Sequence, residues 1–169
     1  MSVVTPPVEE RTKTNIIMLA DFMRLIVEGL NKKGDDSIKP ITVTIVKSVF
    51  SQMDPMDIVH TFVTCSCDYW LKIANKDIDF FLENSSSIFG QLEVSDVLNF
   101  KALFSEHKLT DEETVTIWKY FHTLVRQGTI FYREYPSSFT EKEIEQISKS
   151  ILVLDEKGYI EDGILKKIK

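Results

Sequence analysis

Glycine is scarce in this chain, six in 169 residues. None falls in a G-x-G-x-x-G or G-x-x-x-x-G-K-[ST] pattern, so the loops that cradle nucleotide phosphates are not encoded. G-x-S-x-G is absent as well, which removes the nucleophile elbow. There is no C-x-x-C and no H-x-x-x-H from which to build a zinc site. Only two cysteines occur, Cys65 and Cys67. A bond between residues two apart closes a strained loop, so both are expected as thiols, which points to a reducing compartment. No apolar run of about 18 residues exists, so no membrane span is expected. The opening MSVVTPPVEERTKTN has neither a basic n-region nor an apolar h-region, so no signal peptide is expected. Met1-Ser2 lacks the glycine that myristoylation needs. Positive charge is also short: 20 Lys and Arg stand against 26 Asp and Glu, for a net charge of −6. Such a chain has no general attraction to phosphate backbones, and nucleic acid is not an expected partner. The one obvious basic cluster, Lys166, Lys167 and Lys169, reads as a solvated end.

What is present is a globular mixture, 43% hydrophobic and 27% charged, long enough for one domain with a real core. Residues 1–13, with two prolines and several charges, read as a flexible N-terminal arm. From Asn15, the residues Ile16, Leu19, Met23, Ile26, Val27 and Leu30 recur at three and four, one face of a helix that ends at Gly34. Residues 41–50 fit a helix and also alternate as a strand would. Helix is chosen because Pro40 suits a first turn and no second strand is in sight. Asp54 with Pro55 starts another helix, which buries Ile58, Val59, Phe62, Val63, Trp70 and Ile73 before Ala74–Asp77 interrupts it. Ile78, Phe81, Leu82, Ser85, Ile88 and Phe89 form a further stripe, and a shorter helix covers 95–106. Thr110 with Glu113, and Thr140 with Glu143, have the spacing of capping boxes. The expectation is an all-α fold: a six- to seven-helix bundle or array, with a helical domain over 14–153 and a tail of uncertain structure over 154–169.

Chemistry-bearing residues do not converge in the sequence. His60, Cys65 and Cys67 cannot close one metal site while helical, because His60 and Cys67 stand about 10 Å apart along the axis and the two cysteines diverge. His122 follows Phe121 without a nucleophile to serve, and His107 falls in a loop. Asp77, Asp79 and Glu83 read as a solvated acidic face without a calcium-loop pattern. No catalytic residue, cofactor or metal is expected, and the chain is read as a non-enzyme. The aromatics are more telling. Tyr69/Trp70 and Tyr120/Phe121 are adjacent pairs, so each pair faces two directions. Either central helices are wrapped on several sides or an aromatic patch is left for a protein partner. The candidate partner-binding residues are Tyr69, Trp70, Phe80, Trp118, Tyr120 and Phe121.

Two segments carry a resemblance. Trp70, Ile73, Lys76, Asp77, Phe80, Phe81, Asn84, Ile88 and Phe89 follow a W-x-x-I-x-x-[KR]-D-x-x-F-F…N-x-x-x-I-F pattern. Ile117, Trp118, Phe121, Leu124 and Val125 follow a later I-W-x-[YL]-[FL]-x-x-[LM]-V pattern. Together they resemble a family of small, uncharacterised helical proteins of nucleocytoplasmic large DNA viruses. The match spans roughly residues 59–130, and the chain departs from the family after Gly128. The resemblance implies viral origin and a helical fold, and no reaction. It leads to an expected role as a protein–protein interaction protein of a large DNA virus, a structural or assembly component of the virion, located in the virion or host cytoplasm with a viral or host protein as partner. The alternative is a regulatory adaptor that binds a host or viral transcription or signalling factor.

Overall fold

The computed structural model describes residues 4–35, 40–77 and 109–167. These residues are mostly helical, with one small two-stranded sheet. The helices expected over 78–89 and 95–106 lie outside the described residues.

Helix α1 runs from Val8 to Lys32. Pro7 precedes it in an extended conformation, and Glu9 and Glu10 in the first turn complement the helix dipole. The arm expected over 1–13 therefore gives way to helix at Val8. The reason is burial: Val8 and Thr12 are fully covered, and the Thr12 hydroxyl donates to the Val8 carbonyl at 2.8 Å. Lys13 is also tied down. Its ammonium donates to the carbonyls of Ser51 and Met53 at 2.9 and 2.8 Å, at the C-terminal end of α2, Pro40–Gln52. A cation at that end meets the negative pole of the helix.

Helix α3, Pro55–Ser66, starts as expected: the Asp54 carboxylate accepts from the Met56 amide at 2.8 Å, with Pro55 in the first turn. A single 3-10 turn, Cys67–Tyr69, then leads into the short α4, Trp70–Ala74. Ser66 lies at this joint. Its oxygen accepts from the buried Trp70 indole N–H at 2.9 Å while its own hydroxyl bonds the Phe62 carbonyl. The indole is thus sealed without an orphan donor.

Helix α5, Asp111–Glu134, and helix α6, Glu141–Glu156, each open with a complete capping box, Thr110 with Glu113 and Thr140 with Glu143. Helix α5 is the central element. It packs against α1, α3 and α4, and its residues Phe121, Leu124, Val125, Gly128 and Phe131 are all inside the core. At Gly128 an added Cβ would stand 3.2 Å from both the Trp70 ring and Val63, so the missing side chain sets how closely α5 approaches α3 and α4. The segment after α6 is neither helix nor free tail. Strands β1, Ile160–Glu161, and β2, Ile164–Leu165, pair antiparallel around an Asp162-Gly163 turn with both φ angles positive. The hairpin is docked on α5: the Leu165 amide donates to the Thr129 hydroxyl at 3.1 Å.

Candidate partner-binding surface

The six aromatic candidates do not form one patch. Trp70 and Phe121 are 0% exposed. Both are core residues and offer nothing to a partner, which corrects the expectation for them. Trp118 is half-buried, and its indole N–H is committed to the Ile73 carbonyl at 2.7 Å; the Lys76 ammonium lies 5.2 Å from its ring. Tyr120, two residues on, points to another side of α5 and packs on Phe22 of α1 at 6.2 Å between ring centres. Tyr69 is also half-buried, and Phe80 lies outside the described residues. Much of the aromatic surplus is explained by a central helix covered on several sides.

The other reactive side chains are equally dispersed. His60 stacks on Phe139 at 4.9 Å, with its Nε2 3.7 Å from the Glu143 carboxylate. Cys65 is half-buried and Cys67 buried, both as thiols. Burial, then the neighbouring Asp68 carboxylate, push the Cys67 pKa up to about 11, so its thiol stays protonated and is a poor nucleophile. His122 is buried against Trp118; desolvation, then Arg126, hold its pKa below the usual histidine value. Asp77 pairs with Lys72 at 3.4 Å, while His107, Asp79 and Glu83 lie outside the described residues. Among the described residues no three His, Cys, Asp or Glu side chains are grouped to hold a metal ion.

Large apolar side chains are exposed singly on α1 and α2, at Met18, Leu25 and Val49, and side by side on the outer side of α6. Only Ile147 and Leu154 of this helix are fully buried. Leu152 and Val153 are 56% and 38% exposed and adjacent, so they form an apolar crest. A hollow lies on each side of it. Val153 lines one of about 580 Å³, whose other wall includes Asp68, Leu71 and Lys72. The amide of Gln146 crosses it to donate to the Asp68 carboxylate at 3.0 Å, and Lys142 and Lys149 rim it. Leu152 lines the other, of about 360 Å³, with Ile151, Ile160 and Gly163; there the hydroxyls of Tyr132 and Ser148 are 2.9 Å apart. The crest thus sets apolar side chains between two polar-rimmed hollows. Covering both crest side chains contributes only about 1–2 kcal/mol, so binding there needs polar contacts as well.

The aromatic candidates lie on the 3-10 turn, α4 and α5 or outside the described residues, whereas the crest lies on α6 and was not among them. A signal was available: Ile151-Leu152-Val153-Leu154 is a run of four apolar residues, and one helix face cannot hide them all. The hairpin was missed too, although Asp162-Gly163 between Ile160 and Ile164 is a strong two-residue hairpin signal. No family model, curated protein or solved structure matches the chain. Among the described residues no helix is long and apolar enough to cross a membrane.

Proposed function

We propose that this is a non-enzymatic protein–protein interaction protein of a large DNA virus, with a structural or assembly role in the virion. The observation that carries the interaction reading is the exposed Leu152–Val153 crest on a helix otherwise anchored by its capping box and by Ile147 and Leu154. The half-buried Tyr69, Trp118 and Tyr120 are secondary candidates for contact. Support for the viral setting, and for residence in the virion or the reducing host cytoplasm, comes from the sequence resemblance alone. The six- to seven-helix count belongs to the same reading: it takes α3 and α4 as one helix and adds two that rest on periodicity over 78–89 and 95–106.

The test has two arms. Proteomics of purified virus particles should find the protein at a level comparable to other structural components. A pull-down from infected cells with the full chain should recover a specific partner that the Leu152→Asp/Val153→Asp variant loses while keeping a wild-type circular dichroism spectrum. Absence from particles, with recovery of a transcription or signalling factor by the wild type alone, would replace the virion role with that of a regulatory adaptor. Equal partner recovery by both chains would remove the crest as the contact.

A further inference from the structure

On the far side of the hairpin turn lies a groove of different character. Arg126 and Arg133 are seven residues apart on α5, which places them on one face about 10 Å apart along the axis. Lys166 and Lys167 follow β2 directly. These four cations line a hollow of about 510 Å³ together with Ile164, and among the described residues the carboxylates there are Glu161 and Asp162. The local balance is thus positive in a chain whose net charge is −6. Among the described residues, no ion pair involves any of the four cations. Arg133 is nonetheless held in place, donating through Nη1 to the Asp162 carbonyl at 2.5 Å. Arg126 is partly held within the fold as well, since its Nε is buried. A guanidinium cannot shed its proton, so Arg126 keeps its full charge at the groove wall.

We propose that this groove takes a carboxylate-rich peptide segment of a partner protein. Planar guanidinium forks suit carboxylate and phosphate oxygens alike, and two features decide for the peptide. Among the described residues no aromatic side chain lines the groove, so these offer no platform on which bases would stack. Glu161 and Asp162 on the same wall repel a continuous phosphate backbone, whereas a peptide can space its carboxylates around them and turn an apolar residue toward Ile164. The inference rests on reading the chain as an interaction protein. Asp162 borders both this groove and the hollow beside Leu152, so one partner can engage both.

The experiment uses the full chain and a short fluorescein-labelled peptide of alternating Glu and Ser with a central Leu, followed by fluorescence anisotropy. The wild type should bind it saturably at low salt and more weakly as salt rises. Lys166→Gln/Lys167→Gln, at exposed positions that leave the fold intact, should lower affinity about five- to tenfold, and Arg126→Gln by tenfold or more. Lack of saturable binding by the wild type would overturn the proposal. So would equal binding by the lysine variant, equal binding of the peptide with Gln for Glu, or tighter binding of an oligothymidylate of the same charge. If the peptide fails while the crest variant still loses its cellular partner, only this inference falls; if the peptide binds while the crest variant keeps its partner, the crest reading falls instead.

Discussion

Trp70 and Leu152 are both large apolar residues on helices, and the chain treats them in opposite ways. Trp70 is enclosed by α3, α5 and the 3-10 turn, with its one polar atom satisfied by Ser66 and its ring in contact range of the space Gly128 leaves open. Leu152 has hollows on both flanks of its helix and more than half its surface in water. The first region is closed by side chains whose volumes match. The second is held at separate points: a capping box at Thr140, the buried Ile147 and Leu154, the Gln146–Asp68 bond, and the Tyr159 hydroxyl donating to the Asn75 side chain at 2.7 Å. The buried Trp70 region and the exposed crest thus lie on different parts of the molecule, so under the proposed reading the crest can change at little cost to the fold.

The largest expected effect tests this division directly. Trp70→Ala should cost about 3–5 kcal/mol, because it removes the transfer free energy of the ring and leaves a cavity that Gly128 cannot fill. Leu152→Ser should change stability by no more than about 0.5 kcal/mol, as an exposed substitution does. Urea unfolding of both variants measures the two values. A cost below about 1 kcal/mol for Trp70→Ala, or a comparable cost for Leu152→Ser, would erase the distinction.

A second prediction sharpens the packed side by pH. His122 is buried on α5, and its pKa is lowered by burial and by Arg126. The unfolded chain takes up a proton near the ordinary histidine value of about 6.5, whereas the folded chain does so only at lower pH. The unfolded state therefore binds more protons in that window, and this contribution destabilises the fold as pH drops below about 6.5, by at most about 1.4 kcal/mol per pH unit. Above that pH it is flat. His122→Gln should remove this part of the slope, read as the difference between wild-type and variant urea midpoints from about pH 5 to about pH 7.5. Identical pH profiles for the two proteins would clear His122 of any role.

Most of the fold was legible, and the losses have physical causes. Period, caps and proline placement defined α3, α5 and α6, because local hydrogen bonding and one-sided burial leave a direct trace in residue order. Arg126 and Arg133 went unnoticed because their meaning depends on β2 being folded back against α5, a tertiary fact. For the same reason Lys166 and Lys167 read as a solvated end. The aromatic pairs left two outcomes open for a related reason: adjacency shows that two faces are apolar, but whether each is covered depends on the neighbours of its helix. Trp70 on α4 and Phe121 on α5 are both buried. The N-terminal arm was misjudged because Pro7 was counted as a sign of disorder when it marks the boundary of α1.

The smallest effect concerns a motif that both regions share. Helix α4 and helix α6 each end with a residue in the left-handed conformation, closed by paired bonds back into the last turn. In α4 that residue is Lys76, at φ 58°, with the Asp77 amide on the Lys72 carbonyl at 2.9 Å. In α6 it is Gly158, at φ 80°, with the Tyr159 amide on the Leu154 carbonyl at 3.0 Å. A side chain in this conformation costs about 1–2 kcal/mol. The packed region offsets it by placing the Lys76 ammonium over the Trp118 ring, a contact that contributes about 0.5–1 kcal/mol at an exposed site. Among the described residues nothing stands within 4 Å of a Cβ built at Gly158, so the α6 terminus has no such compensation from them. Lys76→Gly relieves the backbone, forfeits the ring contact and loosens the unfolded chain, so it should be neutral to within about 0.5 kcal/mol. Gly158→Lys gains nothing and should cost about 1 kcal/mol. The pair is read by urea unfolding side by side. Equal penalties at the two sites would mean that the ring contact is irrelevant and that the two helix ends obey the same local rule; a gain at Lys76 above about 1 kcal/mol would mean that the packed region tolerates its lysine without compensation.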